Sequence, residues 1–152
     1  MDRVNNILKN EEFCTRLAHI RDMERDRVYC RHGIDHLLSV ARIMYIESME
    51  RGIDIDRDVL YATALLHDIG RSESSEFHDS ESAKIAVHIL DVAGYSQGEI
   101  LDITRAIGEH RGESTSVLSY LLHRADKSSR ECYMCEARST CKWDIKIEEI
   151  VR

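Results

Sequence analysis

"ALLHDIGR", residues 64–71, joins three apolar helix formers directly to a base and an acid. Ala64, Leu65 and Leu66 belong in a core, whereas His67 and Asp68 would be excluded from one unless they had partners there. Upstream, residues 57–69 are apolar nearly all round the helical wheel, the pattern of a central buried helix, with Asp54 and Asp56 as N-cap residues and Gly70 as its stop. The stretch therefore predicts a buried helix that delivers two polar groups to its end.

The surrounding sequence is helical too. Proline is absent, and no segment shows the alternation of a half-buried strand. A first polar helix is expected over about residues 2–26, with Val4, Ile7, Leu8, Leu17, Ile20 and Met23 as its apolar stripe. A second spans about 34–51, burying Leu37, Val40, Ala41, Met44 and Tyr45 and closing at Gly52. Further helices are expected over about 80–93, ending at Gly94, and about 97–109, opened by a Ser96–Glu99 capping box. The sixth covers about 116–129, and a short helix follows Asp144, with Trp143 as an anchor for the tail. The fold class is all-α: a compact bundle of about six helices forming one domain over 1–152, with a cysteine-containing tail at about 131–152.

With 152 residues the chain can bury a sizeable core without disulfides. No apolar run approaches a membrane span, and the amino-terminal residues lack the apolar core of an export signal, so the expected location is the cytoplasm. A formal charge of -7 offers no global positive field, so non-specific nucleic-acid binding is not expected and an anionic ligand must be held locally.

Of eight histidines, four fall at helix ends: His36 opens the second helix, His67 ends the third, His78 precedes the fourth and His110 ends the fifth. Asp68 follows His67, and Asp126 lies near the end of the sixth helix behind an apolar stretch. Imidazoles and carboxylates converging in a bundle core are how helical proteins build metal sites, and a mixed N/O set suits Fe, Mn or Zn. His19, His32, His88 and His123 read as surface or supporting residues, with His32 one turn before His36 and His123 three residues before Asp126.

"HLLSVAR" from His36, "LLHDIGR" with His67 and Asp68, "HDSESAKIA" from His78, "AIGEH" ending at His110 and "RADKSSR" with Asp126 together resemble the ordered motifs of the HD-domain superfamily, over about residues 30–130. The resemblance implies an all-helical, metal-dependent phosphohydrolase or phosphodiesterase acting on a small phosphorylated substrate such as a nucleotide. It implies that His36, His67, Asp68 and Asp126 bind a first metal, and that His78 and His110 complete a second site bridged by Asp68. The arrangement also resembles that of the bacterial diadenosine tetraphosphate hydrolases of the superfamily. Two divalent ions (Fe, Mn, Zn or Mg) roughly 3.5 to 4 Å apart would activate a shared water for in-line attack on phosphorus.

Arg71 and Lys127 follow the ligand motifs and are expected to neutralise phosphate charge, with Arg111 and Arg130 as weaker candidates. For a general acid, Glu109 and His32 are the available guesses, and Gly70 and Gly112 read as helix caps. Two other functions share this ligand set: an HD-type diiron oxygenase, and a regulatory module that binds a nucleotide without turnover. Arg71 and Lys127 favour an anionic substrate over the first, and the complete ligand set argues against the second.

The tail carries "CYMCEARSTC", a C-x2-C pair with a third cysteine: Cys132, Cys135 and Cys141. The general HD pattern lacks it. With Cys30 as a fourth ligand, preferred over Cys14, this set suits a structural zinc or an iron–sulfur cluster.

Overall fold

The computed structural model describes residues 1–141. The short helix expected after Asp144 and the anchoring role of Trp143 lie outside the described residues.

Helices follow from the apolar periodicity with two local departures. The expected first helix is two, α1 (Asp2–Lys9) and α2 (Glu11–Met23). Asn10 breaks it: its backbone is extended (φ -67°, ψ 128°) and its side chain accepts a hydrogen bond from the Phe13 N–H, so it caps the second helix instead of continuing the first. Helix α3 runs Ile34–Glu50. Helix α4, Arg57–Leu66, is capped by the Asp56 carboxylate on the Asp58 N–H.

The second departure lies in the opening motif. The α-helix stops at Leu66, three residues sooner than expected, and Ile69–Ser72 form a 3-10 turn. Tightening from α to 3-10 geometry changes the rotation per residue, so His67 and Asp68 can both face inward although adjacent residues of a regular helix diverge. Helix α5 (His78–Ala93) begins two residues before the expected start, making His78 its first residue, and ends at Gly94 in the left-handed region (φ 92°). Helix α6 (Gln97–Glu109) has the Ser96–Glu99 capping box, and α7 spans Val117–Ser128.

Gly70 is no cap. Its φ is not positive, and a Cβ there would collide with the α5 backbone at His78 O and Ser82 N. Its N–H donates to Ser82 Oγ at 2.8 Å. The bare backbone lets the 3-10 turn lie directly on the start of α5, bringing Asp68 and His78 together.

Helix α4 is the hub. Val59, Leu60, Ala62, Ala64, Leu65 and Leu66 are buried, and the helix packs against α1, α3, α5, α6 and α7. Burying five or six aliphatic side chains at about 1.5–3 kcal/mol each for the larger ones supplies the force that seats it. The remaining helices surround it so that the starts of α3 and α5 and the ends of α4, α6 and α7 meet at one end of the core.

Candidate metal centre

At that meeting point Asp68 is almost wholly buried and its two oxygens face different neighbours. Oδ2 lies 3.3 Å from His67 Nε2 and 3.6 Å from His36 Nε2. Oδ1 lies 3.1 Å from His78 Nε2 and 3.9 Å from His110 Nε2. Two ligand triads therefore share one carboxylate, His36–His67–Asp68 and Asp68–His78–His110, each with its atoms within 4.8 Å of one another. Asp126 stands on the first side, its Oδ1 3.4 Å from His36 Nε2 and 3.9 Å from His67 Nε2.

The other ring nitrogens fix the tautomers. Nδ1 of His67 donates to Ala64 O at 2.7 Å, that of His78 to Ser75 O at 3.0 Å, and that of His110 to Ile107 O at 2.6 Å. Each acceptor lies three residues earlier, and for His67 and His110 it is a carbonyl of the last turn of the helix that the residue itself closes. Ser129 Oγ spends its proton on Asp126 O, so it accepts from His36 Nδ1 at 3.2 Å. All four rings consequently turn the Nε2 lone pair inward, the orientation a metal ligand needs.

Burial would raise the Asp68 pKa, but the imidazoles of His67, His36 and His78 outweigh it and hold the carboxyl well below the usual carboxylate range. Burial also opposes the charged form of His67, yet the adjacent Asp68 carboxylate prevails and raises its pKa. His110 goes the other way, down to about 4, through burial and the charge of His67. Asp126 is lowered: burial is outweighed by His67 and Arg130, the latter 3.1 Å from its Oδ2.

These groups fit a divalent metal. His36 Nε2, His67 Nε2 and Asp68 Oδ1 are buried without a hydrogen-bond partner, a costly state for one polar atom and far more so for three clustered together. Arg71 Nε sits 2.8 Å from Asp68 Oδ1, but its N–H direction misses the oxygen and both remain without a hydrogen bond. The donor set of imidazole nitrogen and carboxylate oxygen suits Fe, Mn or Zn.

A family model described as "HD domain" matches residues 33–137, over which all six of these residues fall. The chain belongs to the HD-domain family. Members of the family are in general metal-dependent hydrolases. The HD domain is also similar to an uncharacterized protein of Clostridium beijerinckii, 36% identical over 146 residues, covering 94% of this chain and 93% of that one. No solved structure matches.

The expected residues of this HD domain converge, and of the two guesses for an acid, His32 and Glu109, only His32 lies at the centre. His32 is buried rather than at the surface: its Nδ1 lies 2.6 Å from Glu24 Oε1, its backbone N–H donates to Glu24 Oε2, and its Nε2 is 3.9 Å from Asp68 Oδ2. The signal for this was Glu24, a carboxylate eight residues upstream that only a folded loop brings back. Glu109, the other guess for an acid, instead accepts from the Thr115 N–H and hydroxyl and staples the α6–α7 loop. His19 and His88 are exposed, and His123 supports the centre by donating from Nδ1 to His110 O at 2.9 Å.

A cavity of about 640 Å³ opens over the centre, bordered by His32, His78, His110 and Asp126. Five cations also line it: Arg27, Arg71, Arg111, Lys127 and Arg130. Several are aimed by backbone or side-chain bonds, with Arg111 donating to Glu76 O at 2.6 Å and Lys127 Nζ 2.7 Å from His123 Nε2. Among the described residues no helix is long and apolar enough to cross a membrane.

Proposed function

We propose that the chain hydrolyses a small phosphate ester, of the nucleotide class, at a centre of two metal ions. The observation that carries this reading is the division of Asp68: one oxygen faces His36 and His67 and the other faces His78 and His110, which suits a carboxylate bridging two cations. His36, His67 and Asp126 would complete the first site, and His78 and His110 the second. Bound there, the ions would supply an activated water and neutralise phosphoryl oxygens.

The protein's own residues supply the rest. Arg71, between Asp68 and His78 at the cavity floor, and Lys127 on the wall give fixed positive charge against an incoming phosphate, and Arg111 and Arg130 extend that charge. A cavity of this size accepts a nucleotide, and its cations suit the phosphate of one. His32 faces the cavity with its Nδ1–H donated to Glu24, which leaves the Nε2 lone pair aimed inward, and burial lowers its pKa, so it serves as a proton acceptor for the attacking water rather than as the acid the sequence suggests. The five cations favour an anionic substrate over oxygenase chemistry on a neutral one.

The test is a panel of nucleotides, dinucleoside polyphosphates and simple phosphate esters, offered to protein loaded with Mn or Fe under anaerobic conditions. Release of phosphate or of a nucleoside phosphate is expected, abolished in Asp68→Ala, whose helical circular-dichroism spectrum should persist. Oxygen uptake on loaded protein without hydrolysis of any ester would replace this reading with the oxygenase.

A further inference from the structure

Outside the HD centre the tail carries three cysteines in close succession, Cys132, Cys135 and Cys141. Residues 132–141 fold as two short 3-10 turns, Cys132–Met134 and Glu136–Thr140, in which only Ala137 is buried while Tyr133 and Met134 are 51% and 76% exposed. So little apolar burial cannot offset the cost of ordering ten residues. Something besides packing must hold the segment.

The tail does not hang free of the bundle. Tyr29 OH donates to Thr140 at 3.4 Å, and Tyr29 and Thr140 are the chain neighbours of Cys30 and Cys141. Cys30 and Cys141 line the same cavity wall, and the Cys135 N–H donates to Cys132 O, closing the C-x2-C turn. Cys132 lies within electrostatic reach of Cys30, Cys135 and Cys141, and Arg130 stands beside it. Cys14 is exposed on α2 and takes no part. Four thiols from two distant chain segments thus gather at one place, a natural arrangement for four thiolates on a soft metal.

We propose that Cys30, Cys132, Cys135 and Cys141 form a second, independent metal centre, ligated by thiolate alone and occupied by an iron–sulfur cluster. The spacing separates this from zinc. Tetrahedral zinc with 2.3 Å bonds would need each pair of sulfurs about 3.8 Å apart. Among the described residues both groups of three or more His, Cys, Asp or Glu ligand atoms within 4.8 Å of one another centre on Asp68, so no three of these sulfurs come that close. A cluster places irons and sulfide between its thiolates, so it does not require three sulfurs that close. The centre pins the tail to the loop before α3 and so completes the wall of the cavity beside Arg27 and Arg130.

The experiment is anaerobic purification of the full chain, with iron, zinc and acid-labile sulfide measured alongside the visible spectrum. Wild-type protein should carry sulfide together with iron beyond that at the HD centre, and a broad charge-transfer band that bleaches with dithionite. The double variant Cys132→Ser/Cys135→Ser should lose sulfide and band while keeping its helical spectrum and HD-centre metal, and Cys14→Ser should keep everything. Sulfide-free protein with zinc on four sulfurs by X-ray absorption would overturn the cluster. Metal content unchanged in the double variant, or no sulfur-ligated metal in wild type, would overturn the site itself. Each readout is independent of hydrolysis, so failure of the proposed activity leaves it intact.

Discussion

Asp68 is the residue on which the chemistry turns, and the pH dependence of metal binding should follow from its neighbours. The carboxylate raises the His67 pKa above 6.5, so at neutral pH His67 retains more proton than a free imidazole would. A metal must displace that proton, whereas His110, lowered to about 4, is already neutral. Affinity for Mn should therefore rise as pH increases from about 6 to 8. Calorimetry in two buffers of different ionisation enthalpy should show net proton release, and identical enthalpies in both would contradict it. His32→Ala should keep the metals and lower kcat about 100-fold or more, as loss of a general base does; unchanged turnover would return His32 to a supporting role. His36, His67, His78, His110 and Asp126 were legible in the sequence because helix ends mark where polar groups can enter a core. The sequence offered His32 only as a surface or supporting residue and a guess for an acid, because a loop has no periodicity and its partner Glu24 is set by the fold.

At the level of the element, the 3-10 turn after α4 does what a regular helix could not. The apolar run of α4 announces burial and the six-helix outline, but nothing in "HDIGR" distinguishes a glycine that caps from one that makes room. Gly70 makes room, with Ser82 N and His78 O where its side chain would be. Gly70→Ala should therefore push α5 away, cost about 1–3 kcal/mol by overpacking, and weaken metal binding on the His78–His110 side more than on the His36–His67 side. Chemical denaturation with metal analysis measures both, and a variant of unchanged stability with full metal content would be at odds with the close approach. The break at Asn10 escaped the sequence reading for a similar reason: an asparagine mid-pattern is tolerated in a helix, and only its bond to the Phe13 N–H turns it into a cap.

Across the whole molecule, charge is sorted rather than absent. The chain carries a formal -7, yet five cations face one cavity of about 640 Å³. The sequence indicated Arg71, Lys127, Arg111 and Arg130 through their nearness to the ligand motifs, but Arg27 enters from the loop before α3, distant in sequence. Attraction of this kind is screened by salt. KM for a phosphate ester should rise as ionic strength increases to about 0.5 M, with kcat nearly constant, in steady-state kinetics; a KM insensitive to salt would contradict a role for these cations in binding. The proposed bridging role of Asp68 is tested most directly by anomalous diffraction from Mn-soaked crystals of the full chain. Two peaks flanking the Asp68 carboxylate, one beside His36, His67 and Asp126 and one beside His78 and His110, are expected; a single peak, with His78 and His110 free of metal, would contradict it.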